Sequence, residues 1–296
     1  MFDRFDAFDV DLSEATIHGR VSGAAGRDRP PLLLLHGHPQ THVMWHAIAD
    51  RLAEDFPVVA ADLRGYGHSS RPVSDDRHLP YSKRAMGGDL VELMVHLGFD
   101  RFAVCAHDRG ARVAHRMMVD HPDVVTRGML LDIAPTLDMY ERTTRAFAEA
   151  YFHWFFLIQP APLPETMITT DPGGYVRGVM GSRHAGLAPF TPEALAAYQA
   201  ALEQDGAAHA ICEDYRASAT VDLDHEREDR DRGRLITAPL RVLWGRQGVV
   251  GRLFDPLTLW RRLATDVTGR ALDCGHYIAE ELPEPLYQEI RQHFGA

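Results

Sequence analysis

Only three cysteines occur in the 296 residues, Cys105, Cys212 and Cys274, and none stands in a CxxC spacing. Their scarcity excludes a disulfide framework and the common zinc and dithiol motifs, so three buried free thiols are expected. No apolar run approaches the roughly 18 residues of a membrane span; the longest are LLLL at 32–35 and WFFLI at 154–158. The first residues, MFDRFDAFDVDLSEATIHGR, lack the basic start, apolar stretch and small-residue cleavage site of an export leader. A cytoplasmic protein with no membrane association is expected. Positive charge is also short: 31 Lys and Arg stand against 42 Asp and Glu, a net charge of −11. That balance argues against nucleic acid as a partner and repels small anions at long range, so any anion site must be built from local arginines. There is no internal repeat and no low-complexity tract.

What is present is a strand-and-helix rhythm. PPLLLLHG (30–37), FPVVAADLRGYGHS (56–69), DRFAVCAHD (100–108) and VTRGMLLDIAP (125–135) are short buried-strand patterns, separated by helix-like stretches such as SKRAMGGDLVELMVHLG (82–98) and ARVAHRMMVDHP (111–122). The rhythm resumes with APLRVLWG (238–245), TGRALDCGH (268–276) and a last helix near PEPLYQEIRQHF. Alternation of this kind predicts a mostly parallel sheet covered on both faces. Between Ala134 and Arg234 it stops, and aromatics and helix formers such as YFHWFF and TPEALAAYQAALEQ take over. The expected organisation is a core of residues 1–133 and 235–296 with a helical cap, 134–234, inserted between them. The charge run DLDHEREDRDRGR (222–234) reads as a solvated return from cap to core.

Ligands of open parallel sheets sit beyond the carboxyl ends of the strands. Four such ends carry reactive side chains: His36-Gly37-His38, Asp108, Asp132 and His276. Ala106-His107-Asp108-Arg109-Gly110 has the small-x-nucleophile-x-small form of a strained strand-to-helix turn, with aspartate in the place often held by serine. Small flanks let the turn close, and the helix start supplies free N–H groups and a positive dipole. A nucleophile, a later acid and a last histidine follow in the chain order of this architecture, here Asp108, Asp132 and His276. Asp255 is the reserve for the acid, because Arg246-Gln247-Gly248 after APLRVLWG offers no carboxylate. His42 and His46, at i,i+4 with His36 and His38 nearby, lack a clustered carboxylate or cysteine set, so no metal is expected.

On these residues the chain resembles the α/β-hydrolase-fold dehalogenases, and among them the fluoroacetate (haloacetate) dehalogenases. HGHPQT, DLRGYGHSSRP, HDRGARVAHRM, the His153-Trp154 pair, CEDYRA and GHYIAEE fall in the family's order over nearly the whole chain. The resemblance implies Asp108 as nucleophile, Asp132 as acid and His276 as base. It implies Arg109 and Arg112 as the pair that binds the substrate carboxylate, and His153, Trp154 and Tyr215 as the halide pocket. The backbone N–H groups of His38 and Arg109 would meet the oxyanion. A 2-haloacid substrate, no cofactor and a homodimer are implied with them.

The chemistry gives these types a reason. A carboxylate can displace halide from saturated carbon unaided and leaves an ester that water cleaves, whereas serine would leave a stable ether. Two guanidiniums offset the repulsion between Asp108 and an anionic substrate. Arg116, further along the same helix, is expected only in a surface ion pair. Two departures bear on substrate size and halogen preference: His38 stands where the family has phenylalanine, and GSRHAGL (181–187) lacks a tryptophan common there. Two other readings use the same fold. An epoxide hydrolase would need cap tyrosines, with Tyr151, Tyr175, Tyr198 and Tyr215 as candidates, and would gain nothing from a buried cation. A ligand-binding protein without turnover would not need an intact acid–base set.

Overall fold

The computed structural model describes residues 1–23 and 29–295. Eight strands, β1 (Phe5–Asp11), β2 (Thr16–Ser22), β3 (Leu32–Leu35), β4 (Val58–Ala61), β5 (Phe102–His107), β6 (Val125–Leu131), β7 (Leu240–Gly245) and β8 (Val267–Leu272), form one sheet. Their order is β1-β2-β4-β3-β5-β6-β7-β8. From β4 to β8 every pairing is parallel, as the strand-and-helix rhythm predicts. β3, β4 and β5 are buried at every position, which is why they read as unbroken apolar runs rather than alternating ones.

The first 22 residues add two antiparallel strands that the apolar-run pattern does not select. β1, FDAFDVD, lies at the sheet edge, and only its two end-ward apolar residues Phe5 and Val10 are buried. At the other edge β8 alternates exposed with half-buried residues.

Helices cover the sheet, among them Lys83–His96, Asp108–Asp120 and Pro283–Phe294. The Ser82 side chain caps the first of these by accepting from the Ala85 N–H at 3.2 Å. The second follows β5 with no intervening loop, so a strand end passes straight into a helix start.

Between β6 and β7 the chain forms eight helices among the described residues, from Thr136–Glu141 to Val221–Asp231, and no strand. The charge run is not solvated coil. It is the helix Val221–Asp231, and Asp222, Glu226 and Asp229 are buried on one face. Asp222 accepts the Lys83 N–H at 2.9 Å, Glu226 accepts the Leu137 N–H at 3.0 Å, and Asp229 pairs with Arg116. Arg116 is therefore in an ion pair as expected, but a buried one, because Asp229 on the buried face of that helix meets it from the insertion while Asp120 meets it from its own helix. The three cysteines are buried and free. No described helix is long and apolar enough to cross a membrane.

Candidate active site

The carboxyl ends of β3, β5 and β6 converge. Asp108 begins the helix Asp108–Asp120 with φ +46°, a left-handed conformation that lets the strand turn at once into the helix. The turn closes because its neighbours are small. A Cβ on Gly110 would stand 2.4 Å from the His36 carbonyl oxygen, and one on Gly37 would stand 2.4 Å from the Asp108 Cβ. With Gly37 bare, the His38 backbone N–H donates to Asp108 Oδ1 at 3.0 Å. Arg109 lies in the first helical turn, where N–H groups have no acceptor within the helix.

His276 stands over this turn. Its Nδ1 is 2.6 Å from Asp132 Oδ2, and its Nε2 is 3.9 Å from Asp108 Oδ2, too long for a hydrogen bond. Asp132, at the end of β6, has φ +50° and also accepts the Gly245 N–H at 2.9 Å. The reserve acid Asp255 is not at this site: it is exposed and caps the helix Pro256–Trp260, bonding Thr258. His107 holds His276 from behind, donating from Nε2 to the His276 carbonyl at 2.9 Å, and burial pushes the His107 pKa down to about 3. It is therefore a neutral donor. Burial opposes the charge of Asp108, but His276, Arg109 and Arg112 outweigh it and hold the carboxyl far below the ordinary carboxylate range. Asp108 is ionised and fully buried.

The two arginines differ. Arg109 is bound to Asp214: Nε donates to Oδ2 at 2.8 Å and Nη2 to Oδ1 at 2.9 Å, and its guanidinium carbon lies 4.0 Å from the centre of the Tyr215 ring. Asp214 also accepts from the Tyr66 hydroxyl at 2.6 Å and pairs with Lys83, the sole lysine of the sequence. Only Nη1 of Arg109 is left without a partner among the described residues. Arg112 has no carboxylate within 4 Å among the described residues. It donates from Nη1 to the Thr136 hydroxyl at 2.9 Å and the Ala134 carbonyl at 3.2 Å, and it lies 4.6 Å from the centre of the Trp154 ring. Burial, then Arg109, lower its pKa below the usual arginine value.

The helical insertion brings His153, Trp154 and Tyr215 to the same place. The His153 and Tyr215 rings are 5.9 Å apart, and those of Trp154 and Tyr215 are 6.5 Å apart. The Trp154 indole N–H and the Tyr215 hydroxyl are buried with no partner among the described residues. A buried donor left unmade costs on the order of 1–3 kcal/mol, so both groups stand to gain from an acceptor. His38 lies against this group, its ring parallel to that of His153 at 6.0 Å and its Nε2 3.1 Å from the Tyr175 hydroxyl. Burial lowers its pKa to about 3, so it adds a polar but uncharged wall. Of the four tyrosines considered for an epoxide, Tyr175 is engaged by His38, and Tyr198 donates to Glu280 at 2.8 Å.

A cavity of about 250 Å³ opens beside His276, lined by Tyr151, Arg183, His184, Gln247 and Arg252. Asp214 and Arg183 carry weight here that the sequence does not reveal. Asp214 sits inside the quoted CEDYRA, yet only folding shows that it faces Arg109. A His/Asp group does form elsewhere, His18, His42 and Asp62, with donor atoms within 4.8 Å. Asp62 is already engaged by the His42 N–H at 2.8 Å, His42 Nδ1 at 2.9 Å and the His68 N–H at 3.0 Å, so the group ties two loops together.

Known proteins resemble this chain over most of its length. The alpha/beta hydrolase fold family model matches residues 30–283. A fluoroacetate dehalogenase of Burkholderia sp is 42% identical over 99% of this chain and 94% of its own. A soluble epoxide hydrolase of Corynebacterium sp. (strain C12) is 31% identical over 86% of each. Among solved structures, a candidate α/β hydrolase from Nostoc sp PCC 7120 superposes with TM-score 0.95 at 51% identity, covering 100% of this chain and 99% of that one. A mutant of a candidate epoxide hydrolase from Pseudomonas aeruginosa, with bound MFA, gives TM-score 0.91 at 40% identity over 98% and 96%. The chain belongs to the α/β hydrolase fold family, among the relatives of fluoroacetate dehalogenase.

Proposed function

We propose that this protein is a hydrolase of carbon–halide bonds that converts a haloacetate-type 2-haloacid to the 2-hydroxy acid and halide through an ester on Asp108. The observation that carries this reading is Arg112: a buried guanidinium with no carboxylate partner among the described residues, one turn from a buried, ionised aspartate. A small carboxylate supplies the missing anion.

The substrate carboxylate is held by Arg112 and the free Nη1 of Arg109, which places its α-carbon against Asp108. Asp108 forms the C–O bond as the C–halogen bond breaks, and halide leaves with the electron pair toward the His153, Trp154 and Tyr215 donors. Such donors lower the barrier most for fluoride, the poorest leaving group. In the second half, His276 takes a proton from water, and Asp132 orients the imidazole through Nδ1. The water oxygen adds to the Asp108 carboxyl carbon. The His38 N–H, already on Asp108 Oδ1, and the Arg109 N–H meet the oxyanion. The ester then breaks at its acyl–oxygen bond and Asp108 is regenerated. The helices of residues 134–234 act as a cap that excludes water from the first step.

Epoxide hydrolysis is the second reading, favoured by the 31% identical relative and by the unpartnered Tyr215 hydroxyl, which could protonate an opened ring. An apolar epoxide would leave Arg112 unpaired. Single turnover of fluoroacetate in oxygen-18 water with enzyme in excess should place label on Asp108 and none in glycolate; label in the glycolate would overturn the ester. Fluoride release compared with styrene oxide opening separates the two readings.

A further inference from the structure

Arginines of this chain that lie in or near the core are mostly paired: Arg109 with Asp214, Arg116 with Asp229, Arg216 with Glu213 and Arg230 with Asp138. Acids outnumber bases by 42 to 31, so partners are plentiful and an unpaired guanidinium beside the site is a specific departure. Two line the site in this state, Arg112 and Arg183. Arg112 is accounted for by one carboxylate, but Arg183 is not.

Arg183 follows the helix Pro172–Gly181 and enters from the insertion, whereas Arg112 is carried by the core helix Asp108–Asp120. Its Nη1 donates to the Ala150 carbonyl at 3.1 Å, and its guanidinium carbon lies 4.5 Å from the centre of the Tyr151 ring. These contacts fix the group, yet Nε is buried with no partner, and no carboxylate lies within 4 Å among the described residues. Asp108 is near enough for its charge to act on Arg183, as it also does on Arg112. The cavity of about 250 Å³ that touches His276 is bounded by Arg183 and, at its mouth, by the exposed Arg252. Gln247 Oε1 is a further unpartnered buried polar atom on that wall.

We propose that Arg183, assisted by Arg252, forms a second anion subsite, and that the preferred substrate is a 2-halo dicarboxylate such as a halosuccinate. This rests on the 2-haloacid reading above. The α-carboxylate takes Arg112 and Arg109, the halogen-bearing carbon faces Asp108, and the far carboxylate reaches Arg183. The balance is that of the simple haloacid. Asp108 forms the C–O bond as halide leaves with its electron pair, so the new hydroxyl oxygen is one of Asp108's own; water then cleaves the ester at its acyl carbon and restores that oxygen, and the products are a 2-hydroxy dicarboxylate, halide and a proton.

The test compares halide release from chloroacetate, 2-chlorobutanoate and 2-chlorosuccinate, the last two similar in length but differing in the second charge. One charge-assisted pair gives 2-chlorosuccinate a kcat/KM advantage over 2-chlorobutanoate on the order of 10–100-fold. Arg183→Gln should collapse that ratio toward one, and Arg183→Lys should restore part of it. Thermal stabilisation by succinate beyond that by butanoate, lost in Arg183→Gln, reads the subsite without turnover. Equal rates on the two four-carbon acids, or a variant that slows both in proportion, would overturn the subsite while chloroacetate turnover left the haloacid reading standing. If no haloacid releases halide, the haloacid reading fails, and absence of succinate-specific stabilisation then refutes the subsite separately.

Discussion

Replacing His276 by asparagine separates the two halves of the proposed reaction. The imidazole does not touch Asp108 in a bonding sense, since Nε2 is 3.9 Å from Oδ2, so the attack on carbon does not need it. Water activation does. A positioned general base contributes on the order of 10²–10⁴ in rate, equivalent to about 2.7–5.5 kcal/mol of barrier. His276→Asn keeps a polar group that can still face Asp132, whose other oxygen remains on the Gly245 N–H, so the turn should hold its shape. Mixed with excess chloroacetate, the variant should release halide in a burst of one equivalent per chain, followed by a steady rate lower by that factor. Intact-protein mass spectrometry should then show a carboxymethyl group on the peptide containing Asp108. Multiple-turnover halide release at the parent rate, or a burst with no adduct, would refute the assignment of His276 to the second half alone.

Arg112→Gln should lower kcat/KM for haloacetate on the order of 10²–10³, mostly through KM, because a charge-assisted carboxylate pair is lost. Glu280 bonds Gln40 and Tyr198, and burial pushes its carboxyl up from 4.5 to about 8. The unfolded chain releases that proton above about 4.5 while the fold keeps it until about 8, so the group costs stability as pH rises through this window. Glu280→Gln should therefore gain on the parent in melting temperature between these two values, and a difference independent of pH would contradict the burial argument. At Asp108, glycine should be more stable than alanine by about 1 kcal/mol in chemical denaturation, because both lose the carboxylate and only alanine keeps the cost of positive φ.

The parallel strands were legible because burial on both faces removes alternation and leaves short apolar runs bounded by glycine, histidine or aspartate. β1 and β2 were not, since an edge hairpin buries few side chains and reads as a polar stretch. Asp108, Asp132 and His276 were legible as residues just past strand ends. What escaped were pairings across long separations. Asp214 reaches Arg109 over 105 positions and Asp229 reaches Arg116 over 113, and neither distance leaves a local signature. The run 222–234 misled for the same reason: its acids look solvated until Lys83, Leu137 and Arg116 are brought against them. Arg183 stands in a stretch whose sequence showed only a missing tryptophan, and its bearing on the cavity depends on Tyr151 and Ala150 from another helix.

The two site acids are neighbours by register, and this explains several costs at once. His107 pairs with Leu131 across β5 and β6, so Asp108 and Asp132 are each the first residue beyond a shared last rung. Two carboxylates side by side at buried strand ends repel, and each is also held at positive φ, a conformation costing on the order of 1–3 kcal/mol for a residue with a side chain. Aspartate bears that better than most residues. The repulsion is met by placing His276 between them and by donating one backbone N–H to each, from His38 and from Gly245. Those donors come from the turn just after β3 and from the last residue of β7, the strands that flank the pair. Four adjacent strands therefore have to end at one level for both acids to keep these partners. The same convergence leaves the ionised Asp108 one helical turn from Arg112, which has no carboxylate within 4 Å among the described residues, and in the proposed reaction the carboxylate of a haloacid supplies that missing anion.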